Sequence, residues 1–403
     1  MSPLALLFVA LFNSILGLSL LFPILGPLGR QLGMSELQVG TLTAGYALAQ
    51  FAGSPYWGRR SEVLGRKPVL LRGIVGFALT FLAFALLIEA GQRGLLPPQT
   101  LFLSLLATRL LGGLYSSATL PTAQAYVADV TGRADRTAGM TLIGASFGLA
   151  LIFGPVLSGQ LARFGLLLPV YVSAGVAFLN AAFVWLKLPE PPTHIPSKRA
   201  PQLLPVASKV WVVLGVAFAT TLASVSMEQT LAFYFQDRLG LSHRAAAQTF
   251  SWSLGVYGLV AVLVQGFFVR RVKWPPVVLI RAGVPIAASG LFALIFANGT
   301  TTLIIAMALQ GLGQALALPG VTAALSLSVD DGEQGAVAGL NGAAQSLGRM
   351  LGPVLGTGLY ELRPEYPYGF GVVTLCLVQA FLLLSRSPGL STSKLESAER
   401  AQS

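Results

Sequence analysis

The sequence predicts an all-α integral membrane protein, with twelve transmembrane helices in two pseudo-symmetric six-helix bundles. Three observations predict it: the composition, the number of long apolar runs, and a repeat between the two halves of the chain. Of 403 residues, 54% are hydrophobic and only 10% charged, with a mean hydropathy of +0.72, whereas soluble domains carry about 25% charged residues. Apolar runs fall near residues 4–26, 37–58, 68–90, 100–128, 138–161, 165–187, 209–235, 245–269, 276–297, 300–328, 335–359 and 368–386. Each is long enough to cross a hydrocarbon core of about 30 Å at roughly 1.5 Å per helical residue. They lack the period-two alternation of barrel strands and exceed them in length.

The first run is expected to remain as a helix, because Met1-Ser2-Pro3 has no basic n-region and no small-residue cleavage site follows. The longest polar break, 189–208, is too proline-rich for a helix and separates six runs from six. Bundles over 1–188 and 209–390 are therefore expected, joined by a linker over 189–208 and followed by a disordered polar tail over 391–403. The repeat supports that division. Gly144-Ala145 followed by Gly154-Pro155-Val156-Leu157 returns 198 residues later as Gly342-Ala343 followed by Gly352-Pro353-Val354-Leu355, which makes spans 5 and 11 equivalent.

Orientation follows from the cations. Residues 58–71, G-R-R-S-E-V-L-G-R-K-P-V-L-L, form a short basic connector between two spans, and such connectors stay in the cytoplasm. An even number of spans then places both termini and the linker in the cytoplasm too. Counted on that topology, 18 of the 26 Lys and Arg are cytoplasmic, 6 lie in outer loops and 2, Arg109 and Arg349, lie inside spans. This bias accounts for the net charge of +11, so no nucleic-acid partner is expected.

In its Gly58, Glu62, Gly65, Arg66 and Lys67, the connector resembles the loop between helices 2 and 3 of the major facilitator superfamily, G-x-x-x-D-R-x-G-R-K/R. Glu62 stands for the aspartate and Val63 for the first arginine. Gly266, Arg270, Arg271 and Lys273, from the end of span 8 toward span 9, are a worn copy that lacks the second glycine. In span 4, Arg109-Leu110-Leu111-Gly112 resembles an element of proton-coupled members, and Ala125-Tyr126-Val127-Ala128-Asp129 its usual ending. In span 5, Gly144, Gly148, Gly154-Pro155 and Gly159 resemble a signature found mainly in antiporters, with Ser158 replacing one glycine of its terminal pair. Together these motifs look most like the tetracycline and multidrug proton-antiporter branch.

The resemblance implies a monomer in a bacterial plasma membrane that exports a small amphiphilic substrate in exchange for protons by rocking of two bundles, amid membrane lipid and without a cofactor. It further implies a cytoplasmic gate in which Glu62, Arg66 and Asp129 act as a latch facing the start of span 11, with its Asp330, Asp331 and Glu333. Each motif also has a plain structural reading. Glycines at four-residue spacing let membrane helices approach closely, and Arg66 and Asp129 are equally consistent with solvated charges at the head-group level.

Of fifteen Asp and Glu, Glu228 alone sits well inside an apolar run. An intramembrane carboxylate is costly unless paired or protonated, which makes it a functional candidate by default. Arg349 in span 11 is the expected partner and Arg109 the other interior cation. The pair reads either as a proton-coupling site or as a static ion pair that fixes packing. In span 1, where tetracycline exporters carry an acid, this chain has Asn13, which cannot carry a proton. Asn13, Tyr115, Gln229, Gln310 and Gln314, among Phe12, Met227 and Phe233, are the candidates to line a cavity suited to an amphiphile.

Other chemistry finds no support. His194 and His243 are far apart with no acid or cysteine at ligand spacing, and Cys376 is the lone cysteine, so no metal site is expected. No nucleotide-binding loop occurs, and no nucleophile, base and orienting group can be assembled, which argues against an enzyme. An importer or facilitator of a metabolite is the alternative within transport. A non-transporting sensor or lipid-handling protein on the same scaffold is the alternative outside it.

Overall fold

The computed structural model describes residues 2–131, 136–191, 208–272, 274–329 and 333–384. Asp330, Asp331, His194, Lys273, most of the expected linker and the tail lie outside the described residues. Those described form twelve long helices: α1 (Pro3–Gln31), α2 (Glu36–Leu64), α3 (Arg66–Gln92), α4 (Pro98–Val130), α5 (Arg136–Ala162), α6 (Leu168–Lys187), α7 (Ser208–Leu239), α8 (His243–Val269), α9 (Pro276–Ile295), α10 (Thr300–Leu327), α11 (Gln334–Leu362) and α12 (Tyr366–Leu384). Ten are long and apolar enough to cross a membrane. The other two, α2 and α11, match them at 29 residues each but carry more polar side chains, among them Gln50 and Arg59 in α2 and Asn341 and Arg349 in α11.

Two helices are broken once, and prolines explain both breaks. In α1 the helix relaxes at Leu20 and Leu21, just before Pro23, whose ring removes the N–H that Ser19 would have bonded. Ser158 Oγ on α5 donates to the exposed Leu20 carbonyl at 2.6 Å, and Ser19 Oγ donates to Ala150 O at 2.9 Å. In α4 the break at Ser117 and Ala118 precedes Pro121. There the Leu114 carbonyl accepts from Trp57 Nε1 of α2 at 2.8 Å and from Ser117 Oγ at 2.6 Å. Within a bilayer no water is at hand for such groups, so neighbouring side chains must supply the bonds.

The chain divides into two compact units. One comprises residues 1–198 and 229–255, and the other residues 199–228 and 256–403. In the first, α1 packs on α5 and α6, while α4 packs on α2 and α3. In the second, α9 packs on α10 and α12. The α9–α10 crossing is nearly backbone to backbone: a Cβ on Gly313 would lie 2.4 Å from Ala287 N, and one on Gly290 would lie 2.8 Å from Gln310 N. Gly313→Ala is accordingly expected to lose about 1–3 kcal/mol through forced separation of the helices. Gly215→Ala, with nothing within 4 Å of the new methyl, is expected to melt like the parent. A detergent thermal melt of the two variants checks this.

Candidate functional site

The basic connector folds into a turn whose geometry only glycine adopts. Between α2 and α3, Gly65 takes φ 92° and ψ 156°, a region closed to residues with a Cβ. Arg66, the first residue of α3, is thereby turned back under the connector. Its Nε donates to Asp129 Oδ2 at 2.7 Å and its Nη1 to Ser61 Oγ at 2.7 Å, and Ser61 in turn donates to Gly58 O at 2.7 Å. The side chains of Arg66 and Asp129 are only 14% and 9% exposed, so this pair is screened less than a surface one. Of the predicted gate residues, Arg66 and Asp129 thus meet directly and Gly58 joins through Ser61. Lys67 contributes its backbone N–H, whereas Glu62 is exposed and makes no ion pair among the described residues.

A residue assigned only to the linker completes the turn. Glu190, three residues beyond α6, accepts the N–H of Arg66 on Oε1 at 2.5 Å and that of Lys67 on Oε2 at 2.9 Å. It caps α3 from 124 positions away, satisfying two free donors where the helix dipole favours an anion. Tyr126 O–H donates to Pro189 O at 2.9 Å and holds the segment in place. A sequence signal existed: a single acid directly after a helix ending in lysine, on the same membrane face as an uncapped basic helix start.

The interior charges occupy different surroundings. Arg109, 3% exposed, lies in the first unit against the rings of Tyr46, Phe84 and Phe81 at 4.3, 5.7 and 5.8 Å. Its Nε and Nη1 have no hydrogen-bond partner, so cation–π attraction offsets part of its desolvation. Glu228 lies in the second unit, half-buried on α7. It feels the positive charge of Arg349 on α11 and its own charge acts on the Tyr257 phenol on α8, without a direct ion pair among the described residues. Atoms crowd round Arg349, yet it keeps an exposed face and donates weakly to Gln345 Oε1 at 3.5 Å. A carboxyl and a guanidinium so placed are coupled through space without a hydrogen bond between them.

Two of the predicted lining residues cluster in the same unit. Gln310 and Gln314 on α10, 0% and 3% exposed, both donate to Ser224 Oγ on α7, and Gln314 also to Thr220 O at 3.3 Å. Gln310 Oε1 keeps no partner. Met227 is fully buried and Gln229 half-buried on α7. In the first unit Asn13 and Phe12 are half-buried on α1, with Phe12 packed against core residues and stacked on Phe8. Tyr115 lies flat over Gly76, whose added Cβ would come within 2.2 Å of the ring. Phe233 is fully buried under Arg30 and against Gly26.

Along α5 the glycines divide. Gly154 meets Ser19 of α1 and Gly159 meets Ser251 of α8 closely enough that a Cβ would clash, at 1.8 and 2.4 Å, whereas Gly144 and Gly148 have nothing within 4 Å. Pro155 sits inside α5 between the two close approaches. At the opposite end of α2 from Gly65, Arg30 is bonded to Glu36 and Asp237, a cluster the sequence offered only as scattered loop charges.

Long apolar helices enclosing sparse, individually placed charges define an integral multi-pass membrane protein of the transporter class. The chain belongs to the Major Facilitator Superfamily, whose model matches residues 7–302 and 275–402; it is a secondary transporter and not an enzyme. It is 26% identical over 391 residues to multidrug resistance protein 1 of Bacillus subtilis (strain 168), covering 96% of each chain. To the class C tetracycline resistance protein of Escherichia coli it is 29% identical over 361 residues, covering 85% of this chain and 86% of the relative. Among solved structures, a D-xylose-proton symporter superposes with a TM-score of 0.77 at 14% identity, covering 96% of this chain and 98% of the other. The human organic anion transporter MFSD10 (TETRAN) superposes with a TM-score of 0.68 at 21% identity, covering 94% and 98%. These two likenesses speak for the fold.

Proposed function

We propose that the chain exports small amphiphilic, drug-like compounds in exchange for protons, with both termini in the cytoplasm and with the sequence halves 1–188 and 209–390 rocking about a central path. The observation that carries the reading is Glu228: an acid inside a membrane helix, half-buried, acted on by Arg349 yet not locked to it. A permanently paired carboxylate has no reason to exchange a proton, and an isolated one has no means of holding its charge. An acid with a cation nearby and unbonded can alternate, keeping its charge when the guanidinium approaches and taking a proton when it withdraws. The amides of Gln310 and Gln314 and the surrounding apolar helices suit a solute with few polar groups, and the resistance proteins among the relatives point the same way. Everted vesicles carrying the protein, energised to an inside-acid gradient, are expected to accumulate a lipophilic dye and to release it when the gradient is collapsed. Accumulation that ignores the gradient would favour the facilitator reading.

In this scheme the Arg66–Asp129 pair, which lies wholly within the first half, shapes the basic connector, and the meeting of that connector with the start of α11 holds the cytoplasmic side shut while the opposite side is open, with Glu190 fixing the helix start from which Arg66 projects. Asp129→Asn removes one charge from a nearly buried pair and is expected to slow turnover severalfold with little change in substrate affinity. Steady-state flux against solute concentration checks it; a normal maximal rate would reduce the pair to an ordinary helix-end contact.

A further inference from the structure

Arg30 is the penultimate residue of α1, a position where a solvated cation is the ordinary outcome. The structure gives it four side-chain hydrogen bonds instead. Nη1 and Nη2 donate to Oδ1 and Oδ2 of Asp237 at 2.6 and 2.7 Å, a two-point fork. Nε and Nη2 donate to Oε1 of Glu36 at 3.0 and 2.5 Å. The guanidinium carbon lies 4.9 Å from the centroid of Phe233, and Phe233 packs on Gly26, where any Cβ would stand 3.2 Å from the ring. One cation therefore gathers a carboxylate six positions away and another 207 positions away, tying α1 and α2 to the last turn of α7.

Charge is a poor choice for a permanent brace. Withdrawing Arg30 and Glu36 partly from water, with Asp237 still 40% exposed, offsets part of what their attraction returns, and apolar side chains would hold the same helices at least as well. A contact that must open has the opposite need. Parted apolar faces stay exposed to water, whereas parted charges rehydrate, so an ionic contact is firm when closed and inexpensive to break. The placement fits: Glu36 starts α2 and Gly65 follows its end, about 43 Å apart at roughly 1.5 Å per residue, so one helix carries a charge cluster at each end.

We propose that Arg30, Glu36 and Asp237 form a second gate latch, at the opposite end of α2 from the Arg66–Asp129 pair, which parts each time access changes sides and whose strength sets how long this end stays closed. The proposal rests on transport by alternating access. It makes Arg30 and Asp237 positioning residues, acting on the population of states and not on the solute.

The test uses full-length protein with Cys376→Ser, which removes the one native cysteine. Spin labels are placed through Leu95→Cys, at a residue 68% exposed, and Ser242→Cys, also exposed. Ser242 borders the same cavity of about 370 Å³ as Gln31, next to Arg30. Distances are recorded without solute. Arg30→Gln and Asp237→Asn are each expected to raise the ratio of long to short distances about two- to fivefold, as loss of a partly exposed ion pair implies. The exchange Arg30→Asp with Asp237→Arg, made together with Glu36→Gln so that the new aspartate does not face a carboxylate, is expected to return the distribution toward that of the parent. Unchanged distributions in the folded single variants would overturn the latch, as would a normal distribution in Asp237→Asn when Arg30→Gln fails to fold. Because no solute is present, a protein that shifts its distances but exports nothing would contradict the export reading and leave the latch standing.

Discussion

Glu228→Gln is expected to abolish proton-driven accumulation, reducing it to the level of protein-free vesicles, while a neutral solute still binds. The amide keeps the size of the carboxyl and some of its hydrogen-bonding capacity but carries no proton at any working pH. Arg349 is then left without its electrostatic counterpart, and movement of the guanidinium no longer changes a protonation state. A cationic solute is expected to lose at least about fivefold in affinity, since a screened charge pair at contact contributes about 1–4 kcal/mol. Binding by thermal shift, paired with flux under an imposed pH gradient, separates the two effects. Retained uphill, pH-dependent transport would move the coupling away from Glu228.

Gly65→Ala is expected to be among the most damaging small substitutions in the chain. At φ 92° and ψ 156° the new Cβ is strained by its own backbone, at a cost of about 1–3 kcal/mol. It would also stand 2.7 Å from Glu190 Oε1, pushing away the carboxylate that caps α3 and forfeiting charge-assisted bonds of about 1.5–3 kcal/mol. Glu190→Ala alone removes the cap without the strain and is expected to cost less. The double variant Gly65→Ala with Glu190→Ala relieves the clash and is expected to fall short of additivity. Melting temperatures of the four proteins give the cycle; equal stability of Gly65→Ala and the parent would remove the structural reason for glycine in the connector.

What the sequence made legible follows from how far each signal extends along the chain. The twelve helices were readable because each is a continuous apolar run, and even α2 and α11, the most polar, kept enough length to stand out. Their limits were less so. The run expected to end near residue 26 continues as α1 to Gln31, because the proline-containing segment after the break stays helical and buried. The run expected to stop near residue 58 continues as α2 to Leu64, since Gly65 and not Gly58 makes the turn. Glu228 was readable from chemical contrast alone, as the one charged residue between Lys209 and Asp237. Glu190 left only a faint trace, an acid soon after a helix ending in lysine, because its partner lies 124 positions away, and the tie of Arg30 to Asp237, 207 positions away, left none. Phe233 shows the same limit. An aromatic ring on α7 reads as a cavity wall, yet the ring is covered by Arg30, a residue from the other half of the sequence.

The central claim is that solute and proton movements are coupled through this chain. Purified protein reconstituted into proteoliposomes, loaded with a pH-sensitive dye and given a solute gradient but no initial pH difference, tests it most directly. The account predicts that solute flowing down its gradient drives protons the opposite way, that a protonophore abolishes the resulting pH difference, and that Glu228→Gln never generates one. Solute that equilibrates at the parent protein's full rate with no change in internal pH would contradict it.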